Sequence, residues 1–392
     1  MSNSDRTNRH RHIRPCKRTP SAALFTALLS SAAASAAFAA DAAILDCPLR
    51  DQPYSIDLPL FDILAKPEAV AAVNKRLDGF LDRLPPALSR IETPSFAIIV
   101  SLRMAAGFVG ADPEALEALE AELATLDVTD DDRRARCARY DDAAPELERV
   151  DGTVNVLVFD RINGFDHGPS VDAATRAIRA LAEQMGWHVA ATDEPGAFAP
   201  ATLAGFDAVV WNNVSGDVLT LTQREAFEDY INRGGGFLGI HASGGDPMYL
   251  WDWYADTLLG ARFIGHPSDP QFQDARIEME PPAHGIADGL PATWHLKDEW
   301  YSFASSPRGP GVTVVATIDE STYTPEAGGG RSLRMGDDHP IAWARCVNGG
   351  RAVYTAIGHL EEVYHSPENL TLLRNALVWA AGSGRTTCSP DE

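Results

Sequence analysis

The stretch Gly234-Gly235-Gly236-Phe237-Leu238-Gly239-Ile240-His241-Ala242-Ser243-Gly244-Gly245-Asp246 joins a short apolar run to an abrupt polar cluster. Phe237 to Ile240 reads as a buried strand. His241, Ser243 and Asp246 then fall at its carboxyl end, where ligand chemistry collects in open α/β sheets. Histidine titrates near neutral pH and can serve as acid, base or ligand. Other histidines are placed alike, at strand ends or in adjoining loops: His167 after the first strand, His266 in Gly265-His266-Pro267, His339 in Asp338-His339-Pro340, and His359 in Gly358-His359. Asp298-Glu299-Trp300-Tyr301 sets two carboxylates beside two aromatics, a combination that stacks on a sugar face and bridges its hydroxyls. Each has a structural alternative. His241 also suits a glycine-rich turn, and Trp300 and Tyr301, like Trp251, Trp253 and Tyr254, also suit a core. His188 reads as structural, His365 as a surface residue, His295 as ambiguous, and His284 as a turn cap or a ligand contact.

Several chemistries are left without support. Gly239-x-His241-x-Ser243 is not a Gly-x-Ser-x-Gly nucleophile elbow. No phosphate-binding loop, strand-adjacent Gly-x-Gly-x-x-Gly or His-Glu-x-x-His occurs. Strand-end ligands need no fixed spacing, so a divalent metal such as zinc could still be assembled from distant loops.

Strands alternating with helices must position these residues. From Val154 the pattern runs strand, loop, helix: Val154 to Asp160, then a helix capped by Ser170 to about Met185, then strands at His188 to Thr192 and Phe206 to Asn212. Thr222 with Glu225 reads as a capping box for the helix before the Phe237 strand. Further strands are expected at Ile277 to Met279, Val312 to Ile318, Pro340 to Cys346 and Arg351 to Ile357. An amphipathic helix closes the pattern at Asn369 to Ala381. This alternation predicts an α/β fold with a doubly wound, mostly parallel sheet over residues 151–384. Residues 41–127 read as a small, separate helical module, with helix starts at Pro67 and Asp112-Pro113 and a further helix between Phe96 and Phe108. Residues 128–150, rich in Asp, Arg and Pro, read as a linker.

Residues 1–39 resemble an export signal. Six basic residues from Arg6 to Arg18 precede the alanine-rich run Ala22 to Ala36, and Ala37-Phe38-Ala39 supplies small residues before a cut. The remaining chain would carry 27 Lys and Arg against 54 Asp and Glu, a net charge of −27. That balance argues against nucleic acid and anionic lipid partners, and no later segment is long and apolar enough to span a membrane. A homo-oligomer is compatible with the sequence. Cys47, Cys137, Cys346 and Cys388 remain after the signal; in a periplasmic or secreted setting the expected pairs are Cys47–Cys137 and Cys346–Cys388.

Residues 153–382 resemble the trehalose-utilisation (ThuA-like) family. The resemblance runs in order through Gly164-Phe165-Asp166-His167, Gly234 to His241, Trp253-Tyr254, Leu259-Gly260-Ala261-Arg262-Phe263, Gly265-His266-Pro267, Asp298-Glu299-Trp300-Tyr301, Asp338 to Trp343, Gly350 to Tyr354 and Gly358-His359. It implies a flavodoxin-like fold of the class I glutamine amidotransferase type. His241 stands near the elbow that carries a nucleophilic cysteine in the amidotransferases, and no cysteine is close, which argues against glutaminase activity. The stretch from Tyr54 to Leu77 resembles a helical module appended to secreted bacterial sugar hydrolases, with a packing or docking role. In the first loop Asp166 precedes the histidine, where many relatives carry a basic residue.

The family resemblance implies a carbohydrate ligand, in particular a sugar oxidised at the 3-position. A 3-ketone acidifies the C2–H, so a base can remove that proton and the anomeric substituent can leave. On that reading His241 or His167 is the base and Glu299 the acid. Asp298, His266, His339, His359, Trp300 and Tyr301 then bind substrate, or some of the histidines hold a metal. Two other readings compete: a non-catalytic sugar-binding protein, and a metal-dependent hydrolase of another substrate class.

Overall fold

A computed structural model describes residues 43–280, 285–382 and 388. The export-signal reading and the two alternatives for His284 lie outside those residues. The described residues from Ile44 onward pack as one unit.

Nine strands build the main sheet: β1 Asn155–Phe159, β2 His188–Thr192, β3 Ala208–Asn212, β4 Gly236–Ile240, β5 Phe272–Met279, β6 Thr293–Glu299, β7 Val312–Ile318, β8 Pro340–Val347 and β9 Gly350–Thr355. Their order is β2-β1-β3-β4-β9-β8-β7-β5-β6. Pairing is parallel from β2 through β9 and antiparallel beyond it. The parallel part is the flavodoxin-type doubly wound core. Asn-Val-Leu-Val-Phe in β1 and Ala-Val-Val-Trp-Asn in β3 are buried at every position, as strands covered on both faces must be. Helices Pro169–Gln184 and Pro367–Ala380 pack together, and Leu221–Asn232 packs against the short helix Pro200–Leu203.

Two helix starts differ from expectation. The capping box on Leu221–Asn232 is Thr220 with Gln223. The overlapping pair beginning at Thr222 is not used, because the Thr222 hydroxyl donates to Asp46 at 2.6 Å. Gly168, with Pro169 behind it, begins the first helix; Ser170 instead donates its hydroxyl to the His167 carbonyl at 2.8 Å and secures that loop.

The N-terminal helices keep an apolar core of their own, including Leu60, Val73, Phe80 and Leu119. The span expected to be a linker contains the helix Asp130–Cys137, started by a capping box of Thr129 and Asp132. The Cys47–Cys137 disulfide fastens it, and the second pair is Cys346–Cys388. Arg139 and Asp62 form a buried ion pair at 2.7 Å. The expected helix between Phe96 and Phe108 is divided into a short turn, Phe96–Ile98, and a helix, Leu102–Phe108. That turn reaches the loop after β1, where the Ser95 N–H donates to the Asn163 carbonyl at 2.9 Å. Gly164 allows the approach. A Cβ there would meet the Ile99 side chain and the Ser215 hydroxyl at 2.7 Å each.

Candidate functional site

His167, His241 and His359 follow β1, β4 and β9, and the parallel sheet delivers all three to one rim. The ring centroids of His167 and His241 lie 5.0 Å apart, those of His167 and His359 4.7 Å, and those of His241 and His359 5.1 Å. His241 has φ +46°, a left-handed conformation that non-glycine residues adopt at strained turns and often at functional sites. Its surroundings hold it there. The Nδ1–H donates to the Ala356 carbonyl at 2.7 Å, and the ring stacks on Tyr301 at 4.2 Å. The Tyr354 hydroxyl donates to the His241 carbonyl at 2.8 Å.

The carboxylate of this cluster comes from the antiparallel part of the sheet. Glu299 ends β6, the strand at the far edge of the sheet order. Its Oε2 lies 3.1 Å from His359 Nδ1 and 3.4 Å from His241 Nε2. Its Oε1 accepts from the Gln271 side chain and lies 3.2 Å from His266 Nδ1. Burial pushes the Glu299 carboxyl upward, but hydrogen bonds from His241 and His359 outweigh it and hold the group well below the usual carboxylate range. A carboxylate held ionised has no proton to deliver, so the acid role expected of Glu299 does not suit this environment. His167 is lowered as well. Burial, then the neighbouring imidazoles of His241 and His359, keep its ring well below the ordinary histidine value and therefore neutral. Its buried Nδ1 makes no well-formed hydrogen bond among the described residues.

A cleft of about 280 Å³ opens beside the cluster. His167, Glu299, Tyr301 and His359 line it, together with His266, which keeps 35% of its side-chain exposure. Phe96, Phe165, Phe263 and Gln271 are also part of its wall. Phe96 comes from the N-terminal helical region and meets Phe165 edge-on at 5.9 Å.

Three residues expected at the site sit behind it. The Asp298 carboxylate accepts the backbone N–H of Gly358 at 2.6 Å and of Leu360 at 3.0 Å, so it shapes the loop bearing His359. Trp300 is fully buried and donates its ring N–H to the Gln273 carbonyl. His339 is also fully buried; its Nδ1 lies 2.9 Å from Glu320 and its Nε2 2.8 Å from the Tyr301 carbonyl. These partners leave them no face toward the cleft. Elsewhere, His188 Nε2 lies 3.0 Å from the Glu148 carbonyl, and His365 is exposed. The contributions of Gln271 and Phe96 were not anticipated. Phe96 arrives from a segment far from the histidines in sequence, and Gln271, five residues after His266, carries no spacing that marks it.

The trehalose-utilisation family model, ThuA, matches residues 155–380. The chain belongs to this family. The match takes in every residue of the imidazole–carboxylate cluster and leaves out the helices before residue 155. A ThuA-like protein from Bacteroides uniformis ATCC 8492 is similar in structure, with a TM-score of 0.53 and 23% identity over 62% of this chain and 97% of that one. A ThuA-like protein from Parabacteroides merdae ATCC 43184 has a TM-score of 0.45 and 18% identity, covering 60% and 92% of the two chains. The glutaminase domain of Trypanosoma brucei CTPS has a TM-score of 0.36 and 10% identity over 60% of this chain and 98% of its own. No curated protein matches. The sheet itself, parallel from β2 through β9, is the doubly wound one. In this member the residue after β4 is His241, and the four described cysteines are all in disulfides.

Proposed function

We propose that this ThuA-family protein is an exported enzyme that acts on oxidised, 3-keto glycosides by proton transfer. The observation that carries the reading is the meeting of the His167 imidazole and the Glu299 carboxylate on the wall of one aromatic-sided cleft. Its volume is just below the range of about 300–1,000 Å³ typical of small-molecule sites, which suits one sugar ring better than a long chain. Phe165, Phe263 and Tyr301 offer apolar faces to such a ring. The two paired disulfides suit an oxidising compartment. No described helix is long and apolar enough to cross a membrane.

Between the two candidate bases, position favours His167. It lines the cleft, whereas His241 is fully buried with Nδ1 committed to Ala356. In the proposed step His167 takes the proton from C2, and the C–H electrons form the C1=C2 bond. The C1–O bond breaks, and the departing oxygen takes a proton from the imidazolium form of His266 at the cleft mouth. The products are an unsaturated 3-keto sugar and the free alcohol. His241, His359 and Glu299 support the geometry beneath.

The test is incubation of purified protein with a 3-keto glucoside and with the unoxidised glucoside, in deuterated buffer. Release of the alcohol from the keto substrate alone, with C2 exchange lost in His167→Ala, is expected. Tight binding with neither exchange nor release would replace the enzyme with a sugar-binding protein. The export part is tested by the mass of the protein recovered outside the cytoplasm, which is expected to begin at Ala40.

A further inference from the structure

His241 Nε2, His359 Nδ1 and Glu299 Oε2 form a nearly equilateral triangle with edges of 3.1, 3.2 and 3.4 Å. Hydrogen bonds alone cannot satisfy it. The Nδ1 of His241 faces a carbonyl, which only accepts, so that nitrogen carries a proton. If His241 is neutral, its Nε2 is bare. A single proton on His359 Nδ1 must then serve both that nitrogen and Glu299, while the lone pairs of His241 and Glu299 face each other at 3.4 Å. If Nε2 is protonated as well, each imidazole can donate to Glu299, but two N–H groups then oppose each other at 3.2 Å. Moving the His359 proton to its other nitrogen leaves the 3.1 Å edge without a donor. With Glu299 ionised, each of these assignments leaves one edge unsatisfied, inside a site that is almost entirely buried.

A cation at the centre satisfies all three edges together. Two imidazoles and a carboxylate bound at about 2.0–2.1 Å in tetrahedral geometry place their donor atoms about 3.3 Å apart, which is the spacing observed. The three donors come from three separate strand ends, β4, β6 and β9, and Ala356 orients His241 through its other nitrogen in the manner of metal-ligating histidines. A ligating atom of His167 lies within 4.8 Å of the other three. Three close ligands with a fourth, looser side is the pattern of a catalytic rather than a structural zinc.

We infer that His241, His359 and Glu299 bind one divalent first-row metal ion of the zinc type, with His167 facing its open side. This holds whatever the substrate. A protein that turned over keto glycosides without binding metal would refute this inference alone, and a metal-binding protein inert to such sugars would refute only the functional proposal.

The experiment uses the full mature chain, stripped with chelator and titrated with Zn²⁺ and Co²⁺ alone. One equivalent of Zn²⁺ should bind at micromolar or lower Kd and raise Tm. Co²⁺ should give the intense visible absorption of a tetrahedral nitrogen–oxygen site. Glu299→Gln and His359→Ala should each weaken Zn²⁺ binding at least tenfold, with His365→Ala as an exposed-histidine control that binds normally. Absence of stoichiometric binding, or equal binding in the wild type and both site variants, would overturn the inference. If a site variant fails to fold, the cobalt spectrum of the wild-type protein decides: a weak octahedral spectrum or none refutes the site.

Discussion

The Asp298 carboxylate lies 2.6 Å from the backbone nitrogen of Gly358, and through that contact an edge strand of the sheet grips the loop after β9. Glu299, next in the chain, then meets His359, the next residue of that loop, at 3.1 Å. One carboxylate sets the backbone and its neighbour receives the ring. The pairing explains how the antiparallel end of the sheet completes a site that begins on the parallel end.

Asp298→Ala removes an acceptor from buried N–H groups. Hydrogen bonds to a charged group contribute about 1.5–3 kcal/mol each, so a stability loss on the order of 3 kcal/mol is expected, with Asp298→Asn milder. Chemical denaturation measures it. A loss below about 1 kcal/mol in Asp298→Ala would show that the grip on the loop is weak.

Gly358 has φ +153°, and a Cβ there would lie 2.7 Å from the Tyr364 hydroxyl and 2.9 Å from the His241 Cβ. Gly358→Ala should therefore push on His241 directly, costing roughly 1–3 kcal/mol and reducing turnover or metal affinity more than tenfold. Wild-type behaviour in both assays would mean that the rim is softer than its packing implies.

Phe96 gives the helical N-terminal region a place in the cleft wall. Its truncation to alanine should weaken ligand binding about five- to tenfold, equivalent to roughly 1–1.4 kcal/mol, while Tm falls only slightly. Calorimetry with the cognate sugar would separate this from a purely structural role. Unchanged affinity with a large drop in Tm would assign Phe96 to packing alone.

Asp160 supplies a pH signature away from the imidazole cluster. Burial, then the charges of Asp193 and Asp172, raise its carboxyl from 3.8 to about 6 in the folded chain. A raised acid favours folding while protonated, so its contribution is present below about pH 4 and is lost as pH rises through 6. Asp160→Asn should thus stabilise the protein at pH 7–8, by on the order of 1 kcal/mol once solvent screening is allowed for, and have little effect at pH 4. Thermal melts at the two pH values test the difference; an equal shift at both would remove Asp160 as its source.

Much of the scaffold was legible because burial on both faces leaves a plain mark. His188 to Thr192 and Val312 to Ile318 are strands with the expected limits, and the apolar runs ending near Phe159, Asn212 and Ile240 are the expected parallel strands. β6 was harder to read. Thr-Trp-His-Leu-Lys-Asp-Glu does alternate, with Trp294 and Asp298 buried and His295 exposed, but its charged residues hide the period. The helix Asp130–Cys137 was obscured for a similar reason. Its acidic start and basic end look like linker composition until Thr129 and Asp132 close the cap.

Residue type and strand-end position by themselves determined that His167, His241 and His359 would share a rim, since a parallel sheet sends every such loop to the same edge. Whether a strand-adjacent polar group faces the cleft depends on partners distant in sequence, and only the tertiary structure chose them. Glu320 and the Tyr301 carbonyl draw His339 inward, the Gly358 loop claims Asp298, and Glu299 alone of that pair is left to meet the imidazoles. A buried polar atom goes where its hydrogen bonds are satisfied, and that is a property of three-dimensional neighbours rather than of spacing along the chain.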